Sequence, residues 1–208
     1  MSELVFYFDF ISPYAYLGWT QIHALAARHG RGVRPVPVLF AALLGHSGTL
    51  GPAEIPLKRA YLYKDTKRLA ATFGVPFAPP PAHPFNPLLA LRIAGLDERT
   101  IDALYNAAWA GGGGIDSPER VAAVLGEAAA ALIARANEPA AKLRLREATD
   151  AAIAAGVFGV PTVIADDELF WGCDSFGHLE RFLDGNDPLT PRDKAIYRAL
   201  VPSATRKT

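Results

Sequence analysis

Ser12 sits where residue types and spacing assemble a reactive corner. The apolar run from Leu4 to Phe8 reads as a buried strand, and Asp9 to Pro13 reads as a turn. Beyond it, Ala15, Trp19, Ile22 and Ala26 fall at i, i+4, i+7 and i+11, the spacing of one helical face. Ser12 is then the N-cap of a helix and Pro13 its first residue. A helix start offers unpaired N–H groups and partial positive charge, which suits an anion or a thiolate. Taken alone, an N-cap serine more often does no more than close a helix.

A second segment changes that balance. Gly156-Val157-Phe158-Gly159-Val160-Pro161 enters the β-branched run Thr162-Val163-Ile164. Proline can open a strand but not sit inside a central one, and an X–Pro bond is where a cis peptide is plausible. An acidic turn, Ala165-Asp166-Asp167-Glu168, leads to a short strand, Leu169-Phe170-Trp171. Gly172-Cys173-Asp174-Ser175 then opens an amphipathic helix with Phe176, Leu179, Phe182 and Leu183 on its inner side. In this order and separation, the two segments resemble the DsbA-like branch of the thioredoxin-like superfamily. Asp9-Phe10-Ile11-Ser12-Pro13-Tyr14-Ala15-Tyr16, with Gly156–Pro161 and Phe170-Trp171-Gly172, resembles the 2-hydroxychromene-2-carboxylate isomerase family over about residues 3 to 184. These are glutathione-dependent enzymes of naphthalene catabolism, related to the kappa-class glutathione transferases. The resemblance implies an α/β, thioredoxin-like fold with an all-α insertion. Residues 1–40 and 157–208 would form the thioredoxin-like domain and residues 41–156 the insertion, with a cis-proline at Pro161 facing the first helix.

The same resemblance assigns roles. Dithiol exchange needs a Cys-x-x-Cys pair at the start of the first helix, and here Ser12-Pro13-Tyr14-Ala15 occupies it, so that chemistry is excluded. Ser12 would instead hydrogen-bond the thiolate of bound glutathione. Val160 would present its backbone to the cysteinyl part, ahead of Pro161. Asp174 would take the γ-glutamyl ammonium, with Ser175 beside it. Lys58, in a Lys-x-x-Tyr-x-x-x-Asp pattern, would bind a carboxylate of glutathione or of the substrate. Its partners Tyr61, Asp65 and Arg68 share one helical face, which by pattern alone reads as a solvated stripe. Thr49 stands where the family usually has an asparagine. Asn86, within His83-Pro84-Phe85-Asn86, resembles a cleft-lining segment and reads equally as a helix cap. Trp109 and Trp171 are candidates for the apolar side of the cleft or for the core. Cys173, beside Asp174, is expected to be catalytically silent.

The chemistry so implied is nucleophilic catalysis with a borrowed sulfur. Glutathione thiolate adds to an unsaturated aromatic carboxylate, the ring opens, a locked bond rotates, and elimination returns glutathione and a trans enone. Two alternatives stay open: a kappa-like glutathione transferase or peroxidase, and a non-catalytic thioredoxin-like binding module.

Helices must position these groups. From Phe40 to Gly156 the pattern is helical, interrupted by breakers at 45–56, 76–84 and 111–114. Helices fit Leu57–Phe73, Asn86–Ala94, Glu98–Ala110, Ser117 to about Asn137, and Pro139 to Gly156, with a last one at Arg192 to Leu200. The second strand is expected over Val33 to Leu39. The 208 residues are 50% hydrophobic and 20% charged, with net charge zero and pI near 7.0. That balance carries no footprint for nucleic acid or an anionic membrane, and no apolar run reaches spanning length. His23, His29, His46, His83 and His178 show no metal-ligand spacing, so no metal is expected. One cysteine and an N-terminus without a basic region lead to the expectation of a cytoplasmic protein. The resemblance allows a homodimer, and no sequence feature requires one.

Overall fold

Leu4, Phe6 and Phe8 are fully buried while Val5 and Tyr7 are half-buried, so the first strand turns one whole wall to the core. The computed structural model describes residues 3–204. Strand β1 (Glu3–Phe8) pairs in parallel with β2 (Gly32–Pro37), and helix α1 (Pro13–Arg28) is the crossover between them. On its other side β1 pairs antiparallel with β3 (Thr162–Ala165), which forms a hairpin with β4 (Glu168–Trp171). The sheet order is β2-β1-β3-β4. The hairpin turns on Asp166 and Asp167, both left-handed at φ 47° and 68°, the geometry that matches strand twist. Arg31 fixes this turn through two hydrogen bonds to the Asp166 carboxylate, at 2.9 and 2.6 Å.

Strand β2 is shorter than the sequence suggests, ending at Pro37 rather than Leu39. Val38 still donates its N–H to the Phe8 carbonyl at 2.9 Å. By strand alternation, Arg34 and Val36 then also point their N–H groups at β1, and Pro35 and Pro37 fall on outward positions. Both prolines therefore cost the ladder nothing.

Between the two sheet halves lie α2 (Phe40–Ser47), α3 (Pro56–Phe73), α4 (Leu88–Ala94), α5 (Ile101–Trp109), α6 (Pro118–Leu125), α7 (Ala129–Asn137) and α8 (Pro139–Ala154). Helices α9 (Phe176–Leu183) and α10 (Pro191–Ala199) follow β4. The single helix expected from Ser117 to Asn137 is two, because Gly126 adopts φ 59°, ψ −130° and breaks the ladder after Leu125. In α1, Ala15, Trp19, Ile22 and Ala26 are all buried, as their spacing requires. Sheet and insertion share one core: Tyr105 of α5 packs on Phe10 with ring centroids 4.7 Å apart and on Phe8 at 5.8 Å.

The turn after β1 contains a fully buried carboxyl. Asp9 accepts from the Ile11 N–H at 3.0 Å and from the Phe40 N–H, at the start of α2, at 2.9 Å. Burial raises its pKa from 3.8 to about 7, outweighing the two hydrogen bonds, which lower it. The folded value lies above the unfolded one, so this group's contribution to stability is complete below about pH 4 and is lost as pH rises through about 7. Denaturant melts of Asp9→Asn and the parent at pH 5 and pH 8 test this. The variant is expected to be the less stable at pH 5, and the gap should narrow at pH 8, by about 1.4 kcal/mol for each pH unit between 5 and the folded pKa. A constant gap would show that Asp9 titrates normally.

Candidate active site

Ser12 is 7% exposed and makes two hydrogen bonds that fix its hydroxyl. Oγ accepts from the Ala15 N–H at 3.2 Å, as an N-cap should, and donates to the Val160 carbonyl at 3.3 Å. The first bond ties Ser12 to α1; the second ties it to the segment before β3. The Val160–Pro161 bond is cis, as the sequence suggests, and so is His83–Pro84. Pro161 packs beneath α1, since a Cβ on Gly18 would come within 3.3 Å of its ring.

The turn that carries Ser12 is gripped from the insertion. Trp109 donates its indole N–H to the Phe10 carbonyl at 2.8 Å, and His83 Nε2 lies 2.8 Å from the Ile11 carbonyl. A carbonyl only accepts, so Nε2 carries the proton and Nδ1 accepts from the Tyr63 hydroxyl at 2.9 Å. Burial pushes the His83 pKa below the ordinary histidine value, which keeps the ring neutral at pH 7.

In front of Ser12 opens a cavity of about 860 Å³. Phe40, Leu44, Leu50, Leu62, Phe158 and Trp171 make its walls largely apolar. Ser12, Thr49, Glu54, Lys58 and His83 supply the polar points. Glu54 is engaged by the Gly51 N–H at 2.6 Å. Lys58 is exposed and has no ion pair among the described residues, and the Thr49 side chain has no partner there either. The structure thus brings Ser12, Thr49, Lys58 and Val160 around one space.

The other expected residues stand outside that lining. Asn86 is exposed and its Oδ1 accepts from the Leu88 N–H at 3.0 Å, an Asx turn one residue ahead of the cap, since Pro87 holds the N-cap position of α4. The segment reaches the cavity through His83 and Pro84 instead. Asp174 is exposed just beyond Gly172, whose N–H donates to the Pro161 carbonyl at 2.9 Å. Ser175 turns its hydroxyl onto the Gly172 carbonyl at 2.7 Å. The polar stripe of α3 divides: Lys58 lines the cavity, Tyr61 is exposed, and Asp65 accepts from the Tyr14 hydroxyl at 2.8 Å. Trp109 is core and Trp171 is cavity wall. The gripping role of His83 is absent from the sequence reading, although a histidine before a proline, after a run of prolines, marked an unusual turn.

Fold and site define a thioredoxin-like protein of the serine type, with a hydroxyl where dithiol members carry their first cysteine. The family model of the DSBA-like thioredoxin domain matches residues 3–184. A 2-hydroxychromene-2-carboxylate isomerase of Sphingobium xenophagum is 34% identical over 191 residues, 86% of this chain and 96% of the relative. Glutathione S-transferase kappa 2 of Caenorhabditis elegans is 32% identical over 202 residues, 86% and 90% of the two chains. A solved 2-hydroxychromene-2-carboxylate isomerase superposes with a TM-score of 0.79 at 30% identity, covering 88% of this chain and 94% of that one. The chain belongs to the DSBA-like thioredoxin domain family and, within it, to the 2-hydroxychromene-2-carboxylate isomerase family.

Cys173 is buried, and burial, reinforced by the neighbouring Asp174 charge, raises its pKa from 9.0 to about 12. At neutral pH it holds essentially no thiolate. A disulfide reagent applied at pH 8 should therefore titrate no thiol in the native protein within minutes and one thiol after denaturation. Rapid labelling of native protein would place a second sulfur nucleophile beside the site.

Proposed function

We propose that this protein is a glutathione-dependent isomerase of 2-hydroxychromene-2-carboxylate or a related unsaturated aromatic carboxylate, opening the ring and delivering the trans enone. The observation that carries this reading is the Ser12 hydroxyl at the N-terminus of α1, facing a large apolar cavity beside cis-Pro161, with no usable thiol of the protein's own. The residues present fit glutathione. Val160 lines the cavity with a backbone N–H that has no acceptor among the described residues, and a peptide-like ligand supplies one. Among the described residues Lys58 has no ion pair, which leaves a cation for a carboxylate, and exposed Asp174 has none either, which leaves an anion for an ammonium.

Glutathione, held against Ser12 and the Val160 backbone, would supply a nucleophilic sulfur able to add to the unsaturated carboxylate and to leave it again. Ser12, on turning its hydroxyl proton from the Val160 carbonyl to that sulfur, and the Tyr14 N–H of the first turn of α1, which has no acceptor among the described residues, would hold negative charge there and lower its pKa, at about 1.4 kcal/mol per unit. Lys58 binds the substrate or glutathione carboxylate, and the apolar walls exclude water, which strengthens both contacts. The kappa-class relative favours a second reading, in which the sulfur stays on the product. Titrating free thiol after turnover separates the two, because a transferase consumes glutathione stoichiometrically and an isomerase does not.

Ultraviolet absorbance of 2-hydroxychromene-2-carboxylate should change with protein plus glutathione, and not with protein alone. Ser12→Ala should cut that turnover by one to a few orders of magnitude, about 1.4 kcal/mol per factor of ten. Its stability should fall by only about 1 kcal/mol, the worth of a cap. Turnover unchanged in Ser12→Ala would leave Ser12 a cap and defeat the mechanism.

A further inference from the structure

Two large aromatic rings stand half in solvent at the edge of the cavity. Phe158 is 46% exposed and Trp171 55%, whereas the other two tryptophans, Trp19 and Trp109, are 8% and 0% exposed. Phe158 and Trp171 both line the cavity and meet edge to face, with centroids 5.1 Å apart and planes at 61°. Gly159 makes that placement feasible, because a Cβ there would lie 2.5 Å from Trp171 Nε1. The indole thus rests on the backbone that leads to Val160 and Ser12. Its N–H has no acceptor among the described residues. Leu44 and Leu50 of the insertion line the same cavity, and Leu50 is also exposed. Apolar surface of this extent, left open beside a polar reactive point, is what a ligand covers on binding.

We propose that Phe158 and Trp171 form the wall that receives the planar ring of an aromatic carboxylate, and that Trp171 sets affinity for that ring and not for glutathione. Resting on the proposed isomerase reading, the inference names the ring-binding side of its site. Glutathione has no ring, so stacking surface and cleft width matter little to it; a bicyclic carboxylate gains offset or edge-to-face contact with both side chains. Lys58, in the same cavity, supplies the cation for its carboxylate. Gly159 is a positioning residue, acting through the indole that it admits.

The test uses 2-naphthoate, a planar carboxylate that does not react, titrated into the full protein with and without glutathione by calorimetry and tryptophan fluorescence. Quenching is expected, because Trp171 alone among the three tryptophans is open to the ligand. Trp171→Phe should lose the quenching while binding within about threefold of the parent, since it keeps an aromatic face. Trp171→Ala should weaken 2-naphthoate about tenfold, and Gly159→Ala, which keeps both rings but displaces the indole, should weaken it in the same direction. Glutathione affinity should stay within about twofold in all three, which also certifies their fold. Parent-like 2-naphthoate binding by Trp171→Ala, or an equal loss of glutathione, overturns the proposal. Quenching with these variant effects but no chromene turnover would sustain the wall and defeat the isomerase reading. Turnover whose KM ignores Trp171→Ala would do the reverse.

Discussion

The turn from Asp9 to Ser12 must bury polar backbone, and everything the site does depends on how that backbone is satisfied. A buried peptide group without a partner costs a large part of a small domain's stability margin, so such a turn survives only where partners are supplied. The turn itself supplies some: Ser12 N–H meets the Asp9 carbonyl at 3.1 Å, and the Asp9 carboxyl takes the Ile11 N–H. The rest come from the helical insertion, through Trp109 and His83 on adjacent carbonyls and through the start of α2 on Asp9. The insertion is therefore part of the corner that carries Ser12 as well as a wall of its cavity. A change in α5 or in the His83–Pro84 turn reaches Ser12 through hydrogen bonds of under 3 Å.

With that turn fixed, the role proposed for the serine differs from that of the cysteine in dithiol relatives. A cysteine at a helix start is itself activated; a serine there has a hydroxyl far too weakly acidic for that, and can only orient a dipole toward charge brought from outside. Trading the thiol for a hydroxyl converts a redox centre into a receptacle. On the proposed reading the large apolar cavity has a reason, since it would have to hold both the sulfur carrier and its reaction partner.

Short-range signals were legible in the sequence. The Ser12-Pro13 cap, the helical face of α1, the strand opened by Pro161 and the acidic hairpin turn are all set by local backbone chemistry, and the structure has them where the residues pointed. Lys58 and Thr49 came from the family pattern, and the fold does bring them to the cavity. What was not legible depends on contacts distant in sequence. Asn86 and His83 are three residues apart in one proline-rich turn, and nothing local says which of them faces inward. Asp9 looks like any turn aspartate until Phe40, 31 residues on, is seen to donate to it. Gly126 was visible too, yet an alanine-rich run with good helical periodicity hid the break that its positive φ makes.

The outward prolines of β2 have a bearing on how copies of this chain can meet. An edge strand with free N–H groups is a template on which another strand can add, giving continuous sheets across subunits or, uncontrolled, fibres. At 35 and 37 those donors do not exist, and no rearrangement short of register slippage creates them. Growth of the sheet past β2 is opposed by covalent structure as well as by cover, since α4 and α8 pack against this strand and Pro35 is buried. Any symmetric assembly must then be built from helices, from loops or from the opposite edge at β4, where Trp171 already borders the cavity.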